Sequence, residues 1–472
     1  MKGTPAKELS PIEVYKLLPG TNCKECGEAN CMAFAAKLVN REKTLQDCKP
    51  LFEPKYKGTY DKLWALLKPP VRAVEVGVGE HIVTLGGQYV VYRHEFTYFN
   101  QTAIAIDVSD EMPNEELEAR VKAASSFEYD YIGMKLTLDL IAVRSSSGDP
   151  EKFEATVRKV ADSAEMPLVL CSTDPEVMER GLSIIAERRP LIFAATAENW
   201  ASMAELAVRY SCPLVASSPN NLNALKSIAV ALHEYGIEDI VLDPGTRIRE
   251  GISRTLDDFT VLRWDAINSE DDAIGLPLMG APIVAWADEG QDPVISEWNE
   301  AVAASALITR YADMLILHGI SGWSLLPLVI QRQNLYTDPR KPVSVEPGVI
   351  PLGEPDEMSP VFMTTNFALT YYTVEADIEA AKIDCYILVV DSEGISVESA
   401  VAGRKLTAET VAEALESFEV GDRVKHRHLV IPGRAARISG EIREVSGWTV
   451  SVGPLDSSNL AGYMENWKPF PE

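Results

Sequence analysis

The sequence predicts an α/β protein in three parts: a small cysteine-bearing N-terminal unit, a central (β/α)8 TIM barrel, and a smaller doubly wound α/β unit at the C-terminus. Three observations carry that prediction. From Val71 onward, short β-rich runs alternate with amphipathic helical stretches, the alternation that builds parallel sheets. Four of the seven cysteines crowd into residues 23 to 48. A stretch with six prolines, residues 338–363, interrupts the alternation and precedes a further set of β runs. With 472 residues and 46% apolar content, the chain can bury more than one core.

Residues 1–57 form the first unit, with helices expected over 11–18 and 31–42 on either side of the cysteine loop. The barrel is expected over 71–337. Its strands are RAVEVGV, TAIAIDV, LIAVRS, PLVLCS, PLIFAAT, PLVASS and DIVLDPG, with either APIVAWAD or DMLILHG as the eighth. Helical periods rich in Ala, Leu, Ile and Glu fill 149–164, 175–187, 197–210 and 220–235 between them. A doubly wound open sheet is the alternative arrangement of the same units. Residues 338–363 read as a linker. The last unit, 364–472, carries β runs in TNFALTYYTV, DCYILVVDSEG, HLVIPG and GWTVSVGP, with helices near 375–381 and 408–417. In such sheets ligands sit beyond the carboxyl ends of the strands.

The balance of 44 Lys and Arg against 70 Asp and Glu gives a formal charge of −26, which repels phosphate backbones and anionic headgroups. Nucleic acid and membrane surfaces are therefore poor partners. The N-terminal stretch lacks an apolar core of signal-peptide length and no later run reaches bilayer length, so a cytoplasmic protein is expected. Cys171, Cys212 and Cys385 stand singly in strand-like apolar runs and read as buried small hydrophobes.

The crowded cysteines have the spacing Cys23-x2-Cys26-x4-Cys31-x16-Cys48. A two-residue gap lets two thiolates face one metal centre from a single turn, and Gly27 can aim backbone N–H groups at sulfur. Four thiolates suit a [4Fe–4S] cluster, and they also suit a structural zinc ion. The four-residue gap favours iron and sulfur, because zinc ribbons usually pair two CxxC knuckles.

The run LLPGTNCKECGEANCMAFAAKL followed by DCKP resembles the N-terminal cluster domain of the large (gamma) subunit of corrinoid iron–sulfur proteins, which serve acetyl-CoA decarbonylase/synthase. TTNFALTYYTV, YILVVDSEGISV, LVIPGRAARISGEI and SGWTVSVGP resemble that family's corrinoid-binding domain, in the same order. The resemblance spans the chain. It implies a methyltransferase component in which cobalt, not a side chain, is the reactive centre, so no catalytic residue is assigned. It also implies a heterodimer with a smaller (delta) barrel subunit, a corrinoid (cobamide) at that interface, and a [4Fe–4S] cluster held by Cys23, Cys26, Cys31 and Cys48. Cobalt would take a methyl group from a methylated tetrahydropterin, with its methyltransferase, and deliver it to the nickel–iron cluster of CO dehydrogenase/acetyl-CoA synthase. The [4Fe–4S] cluster would restore Co(I) after accidental oxidation.

No D-x-H-x-x-G motif is present, and His426 and His428 in VKHRHLVI lack the aspartate it requires. The corrinoid is therefore expected base-off and without histidine, which eases reduction of cobalt. By motif match the expected corrinoid contacts are Thr364, Thr370, Gly394, Ile395, Ser396, Val397 and Gly453, with Gly433 and Ala435 as further wall residues. Taken singly, the threonines equally suit strand ends and the glycines ordinary turns. Asp243 in IVLDPGT resembles a pterin ligand of dihydropteroate-binding barrels, but Asp-Pro-Gly is also a common strand exit, and the structural turn is the favoured reading. Glu75, Asp107 and His318 are expected to be satisfied polar core groups. The acidic segment 110–118 is expected to be a solvated helix start.

Overall fold

A computed structural model describes residues 9–269, 271–288 and 290–470, so the first eight and last two residues of the expected terminal units lie outside the described residues. The described chain forms two compact units, one of residues 9–129 and 136–336 and one of residues 130–135 and 337–470.

The first unit opens on two short helices around the cysteine loop. Ser10 caps Pro11–Tyr15 in a capping box with Glu13, and Asn30 caps Cys31–Val39 through a bond from the Ala33 N–H. Phe34, Leu38, Leu51 and Leu63 close a small core over these helices and the following helix, Lys57–Leu67.

RAVEVGV is not a barrel strand. It forms β1 (Ala73–Val78), which pairs antiparallel with β2 (His81–Gly86) in a hairpin. Val74, Val76 and Leu85 of this hairpin pack against residues of the barrel interior, and the Gly77 N–H donates to the Arg189 carbonyl just before a barrel strand begins. The hairpin thus plugs the amino-terminal end of the barrel.

The barrel itself uses β3 (Ala103–Ser109). A hairpin of β4 (Glu128–Tyr131) and β5 (Met134–Thr137) follows, its tip grouped with the second unit. The remaining barrel strands are β6 (Leu140–Arg144), β7 (Leu168–Cys171), β8 (Leu191–Ala195), β9 (Leu214–Ser217), β10 (Ile240–Asp243), β11 (Met279–Gly280) and β12 (Met314–Leu317). All eight neighbours run parallel in the order β10-β9-β8-β7-β6-β3-β12-β11, and a Leu242–Leu278 bridge closes the ring. DMLILHG supplies β12, while APIVAWAD winds into a 3-10 helix, Pro282–Trp286. The eighth member, β11, is two residues long and leaves no β pattern to read.

Three of the barrel helices start where an aspartate precedes a proline. Asp149, Asp174 and Asp292 each accept backbone N–H groups at the start of Pro150–Ser163, Pro175–Ile185 and Pro293–Ile308, with proline at the first helical position.

The second unit is a five-stranded sheet of β13 (Gly348–Leu352), β14 (Val361–Thr365), β15 (Cys385–Val390), β16 (His428–Ile431) and β17 (Thr449–Val452). Its order is β13-β15-β14-β16-β17, parallel except for the antiparallel edge strand β13. Two corrections follow. The proline-rich residues 338–363 are not a free linker, because they contribute β13 and most of β14; Pro351 is tolerated because β13 is an edge. TNFALTYYTV is not a strand beyond its first residues, since Ala368–Ala381 is one helix. Alternation in β14 places Val361 and Met363 in one core and Phe362 in another, so helices cover both faces.

No helix among the described residues is long and apolar enough to cross a membrane.

Candidate functional site

The cysteine loop folds tightly because Asn22, Lys24 and Gly27 all take positive φ values. The Gly27 N–H donates to the Lys24 carbonyl at 3.0 Å, closing a turn between Cys23 and Cys31. The Asn22 side chain accepts from the Cys31 N–H at 2.8 Å, and its own N–H points at Cys31 Sγ, 3.4 Å away. Cys31 opens its helix, so its sulfur sits at the positive end of the aligned peptides. Cys48 arrives from a separate 3-10 turn and is buried, Cys26 is half-buried and Cys23 is exposed.

All four thiols line one cavity, walled by Phe34 and Pro50. Among the described residues, no three His, Cys, Asp or Glu side chains converge where one metal ion would sit. Burial pushes the Cys48 thiol up to about 11, and the neighbouring Cys31, Cys26 and Cys23 add to the rise. Four thiolates side by side therefore call for positive charge among them. By contrast, burial chiefly drives Cys171, Cys212 and Cys385 up to about 12, with Asp107 adding to the rise at Cys171 and Asp384 at Cys385, and each sits in packed core as a small hydrophobe.

In the second unit the chain order reverses between β14 and β16: β15 follows β14 on one side of it, and β16 and β17 build outward on the other. Such a reversal opens a crevice at the carboxyl ends of the strands. A cleft of about 420 Å³ lies there, lined by Met363 and Thr364 of β14, Ile431 of β16 and Gly453 after β17. Of the expected contacts, Thr364, Thr370, Ser396, Val397 and Gly453 line it. Thr364 is 1% exposed, and its hydroxyl has no hydrogen-bond partner. An orphaned buried hydroxyl on a cleft wall is costly unless a ligand satisfies it.

Gly394 and Ile395 do not reach the cleft. Gly394 holds a positive φ of 72°, and its N–H donates to Asn366 Oδ1 at 3.0 Å. The Ile395 carbonyl accepts from the Ser392 hydroxyl at 2.8 Å. Both are turn residues, Gly394 held by Asn366 and Ile395 by Ser392, whose own N–H donates to the Asn366 side chain. Gly433 and Ala435 likewise fall outside the lining: Ala435 is fully buried in the core, while Arg434 between them faces the cleft. Arg434, Glu398, Leu369, Leu455 and Asp456 were missed by sequence reasoning, because an isolated exposed charged or apolar residue carries no periodic signal of its own.

Neither histidine of this unit is free. His426 Nε2 lies 2.9 Å from the Ser359 carbonyl, and its Nδ1 accepts from the His428 N–H at 3.2 Å. His428 is bonded through Nδ1 to the Lys468 carbonyl and through Nε2 to the Ser451 hydroxyl, and it stacks on Trp467. Burial lowers its basicity further. Both flank the start of β16, the opposite end from the cleft.

At the carboxyl end of the barrel, Asp107 is 1% exposed and accepts from Arg144 at 3.0 Å, with His318 Nδ1 at 2.5 Å. Burial opposes this carboxylate, but His318, Arg144 and Arg120 outweigh it and hold it below the usual range. Glu300 accepts the N–H groups of His318 and Gly319, and burial pushes its carboxyl up to about 7. Asp243 takes the Ser217 hydroxyl at 2.8 Å and the Gly245 N–H at 2.9 Å, so its side chain serves the strand exit. Asp107 and His318 are satisfied as expected. Glu75 is not a core group, since it is exposed on β1. In the acidic segment, Asp110 braces the loop at Ser146 and Ser147, and the helix starts at Asn114 with Glu115 and Glu116 in its first turn.

Residues 73–464 match the family model described as the CO dehydrogenase/acetyl-CoA synthase delta subunit, and residues 18–50 match the one described as a putative Fe-S cluster. The chain is 45% identical over 465 residues to the acetyl-CoA decarbonylase/synthase complex subunit gamma 1 of Methanosarcina thermophila, covering 98% of this chain and 99% of that one. It is 46% identical to the gamma subunit of Methanosarcina acetivorans and 44% identical to that of Archaeoglobus fulgidus, with the same coverage of each. Among solved structures, dihydropteroate synthase from Thermus thermophilus covers 56% of this chain and all of its own, at 15% identity and a TM-score of 0.41. The barrel assignment rests on the strand order, not on that likeness. Near-full-length identity of this level, over a cysteine loop, a closed parallel barrel and a switch-point sheet, places the chain in the family of acetyl-CoA decarbonylase/synthase complex gamma subunits.

Proposed function

We propose that this chain is a corrinoid methyl carrier, acting with a smaller delta subunit as a heterodimer in the cytoplasm. A base-off corrinoid, when bound, would supply the nucleophilic cobalt for methyl transfer from a methylated tetrahydropterin, with its methyltransferase, to the nickel–iron cluster of acetyl-CoA synthase, and a [4Fe–4S] cluster would supply the reactivating electron. The observation that carries this reading is the switch-point cleft with the unpartnered Thr364 hydroxyl on its wall.

Thr364, Thr370 and Ser396 offer hydroxyls to the amide side chains of a corrin, and Val397 and Gly453 let the macrocycle lie close. Gly394 and Ile395 act one step back, by shaping the loop that carries Ser396. With all four ring nitrogens of His426 and His428 engaged, the unit presents no imidazole to cobalt. Cys23, Cys26, Cys31 and Cys48 would hold the cluster. All four side chains line one small cavity, and four thiolates are a donor set that suits an iron–sulfur cluster. The helix end at Cys31 and the Asn22 N–H would stabilise the anionic sulfurs. For the partner subunit, Val294, Ile295, Trp298 and Val302 form an exposed apolar stripe on Pro293–Ile308 that suits a protein interface. A second reading would make the barrel a pterin-dependent methyltransferase in its own right, with Asp243 as pterin ligand; the engagement of Asp243 with Ser217 and Gly245 speaks against it.

Replacing Thr364 by Val tests the reading, because it keeps the shape and removes only the orphaned hydroxyl. Stability of the corrinoid-free protein should stay level or rise by about 1 kcal/mol, while corrinoid affinity falls about tenfold. Unchanged affinity, measured by visible-range titration under anaerobic conditions, would count against a corrinoid in this cleft.

A further inference from the structure

Among the described residues that line the cleft, Arg434 is the one cationic side chain, facing two acids, Glu398 and Asp456. Its Nη1 donates to Glu398 Oε2 at 2.9 Å, and its remaining guanidinium donors bond no group among the described residues. Hydrogen bonds from the Ser458 hydroxyl and N–H hold the Asp456 carboxyl below its usual range, and the Arg434 charge adds to that effect. The base of this arginine is fixed on both sides. The Gly433 N–H donates to the Pro454 carbonyl at 2.9 Å. A Cβ on Gly433 would stand 2.9 Å from backbone atoms of Pro454 and Leu455, so only glycine lets the two exit loops meet so closely. Ala435, on the other side, is fully buried. The backbone that carries Arg434 is thus pinned beside the cleft, and among the described residues Glu398 is the one hydrogen-bonded partner of its guanidinium.

A cobamide carries neutral amides around its ring and one fixed anion, the phosphodiester of its nucleotide loop. Two carboxylates at the mouth repel that anion unless a cation meets it. Arginine is suited to the task, since its planar fork matches phosphate oxygens. We infer that Arg434 selects complete, nucleotide-bearing cobamides over nucleotide-free corrinoids by binding the loop phosphodiester, and that Glu398 holds the guanidinium in place until that phosphate arrives. This inference rests on the corrinoid reading of the same cleft and adds to it a basis for ligand choice.

The test uses the full-length chain, purified with its accompanying subunits and stripped of corrinoid. Two probes isolate the nucleotide loop: p-cresolylcobamide, whose lower base cannot coordinate cobalt, and cobinamide, which lacks the loop altogether. The wild type should bind the cobamide at least about tenfold more tightly, equivalent to about 1.4 kcal/mol. Arg434→Gln should erase most of that ratio while leaving cobinamide affinity within about twofold, and Glu398→Gln should raise cobamide affinity by freeing the guanidinium. Equal affinity of the wild type for both probes overturns the inference while leaving the corrinoid reading intact. So does an equal loss for both probes in Arg434→Gln, which would make the arginine a mere wall residue. Failure of both probes to bind overturns the corrinoid reading itself and takes this inference with it.

Discussion

Replacing Cys23 by Ala should strip the protein of most of its iron and abolish reductive activation, while methyl transfer from chemically pre-reduced cobalt continues within about twofold. Cys23 is the exposed member of the four, so its removal takes no packing from the small core of Phe34, Leu38 and Leu51. Surface substitutions of that kind change stability by roughly 0.5 kcal/mol or less. The loss therefore reports ligation and not folding. Even the groups that support a ligand cost about 10–100-fold when removed, so deleting a thiolate should reduce activation at least about 100-fold. Cys212→Ala is the matched control, because Cys212 is buried far along the chain and should leave iron content unchanged. Iron analysis with separate assays of reduction and transfer reads the outcome. Equal loss of both activities in Cys23→Ala would contradict the division of labour between the two groups.

Asp313→Ala should be the most destabilising single change in the barrel, costing about 3–5 kcal/mol. Asp313 and Arg263 are each 1% exposed and meet at 2.5 Å. The same Asp313 oxygen accepts the Leu278 N–H at 2.8 Å, and the Asp313 carbonyl accepts the Ala103 N–H at 2.9 Å. This one residue therefore ties the approach to the two-residue strand β11 to β12 and β3, where the ring has fewest backbone bonds. Without it, Arg263 keeps, among the described residues, the Tyr311 carbonyl at 2.9 Å and the face of the Tyr311 ring, and its charge is buried with no counter-ion. Replacing both partners, Asp313→Ala with Arg263→Met, should recover much of the loss, since the stranded charge goes too. Denaturant unfolding of the single and double variants checks this, and a loss under about 1 kcal/mol for the single variant would refute it.

Most barrel strands could be read in the chain because each is a largely buried parallel strand, a short Val/Ile/Leu run followed by a helical stretch. The failures have physical causes. RAVEVGV carries the same apolar signal as a barrel strand, and nothing local tells a plug hairpin from a ring member; both bury Val74 and Val76. The strand β11 is too short for any period. Pro351 disguised β13, because proline signals a connector unless one knows that the strand lies at an edge; β14, the central strand, holds no proline but begins directly after Pro360, inside the same proline-rich run. In the cleft, Thr364 and Gly453 were legible as strand-end residues of recognisable motifs. Arg434 was not, although the glycine and alanine beside it were singled out; an exposed arginine in a loop looks like any solvated charge until the sheet brings Glu398 and Asp456 around it. The four cysteines were legible from spacing alone, but the common cavity they line appears only once Cys48 folds back from its own turn.

The central claim is that the C-terminal cleft holds cobalt with no protein nitrogen on it. Paramagnetic resonance of the Co(II) form of the purified complex tests this most directly, because an axial nitrogen splits each cobalt hyperfine line into three. The account predicts cobalt lines without that splitting. A three-fold nitrogen pattern traced to a protein imidazole by isotopic labelling of histidine, or a complex with iron but no cobalt, would contradict it.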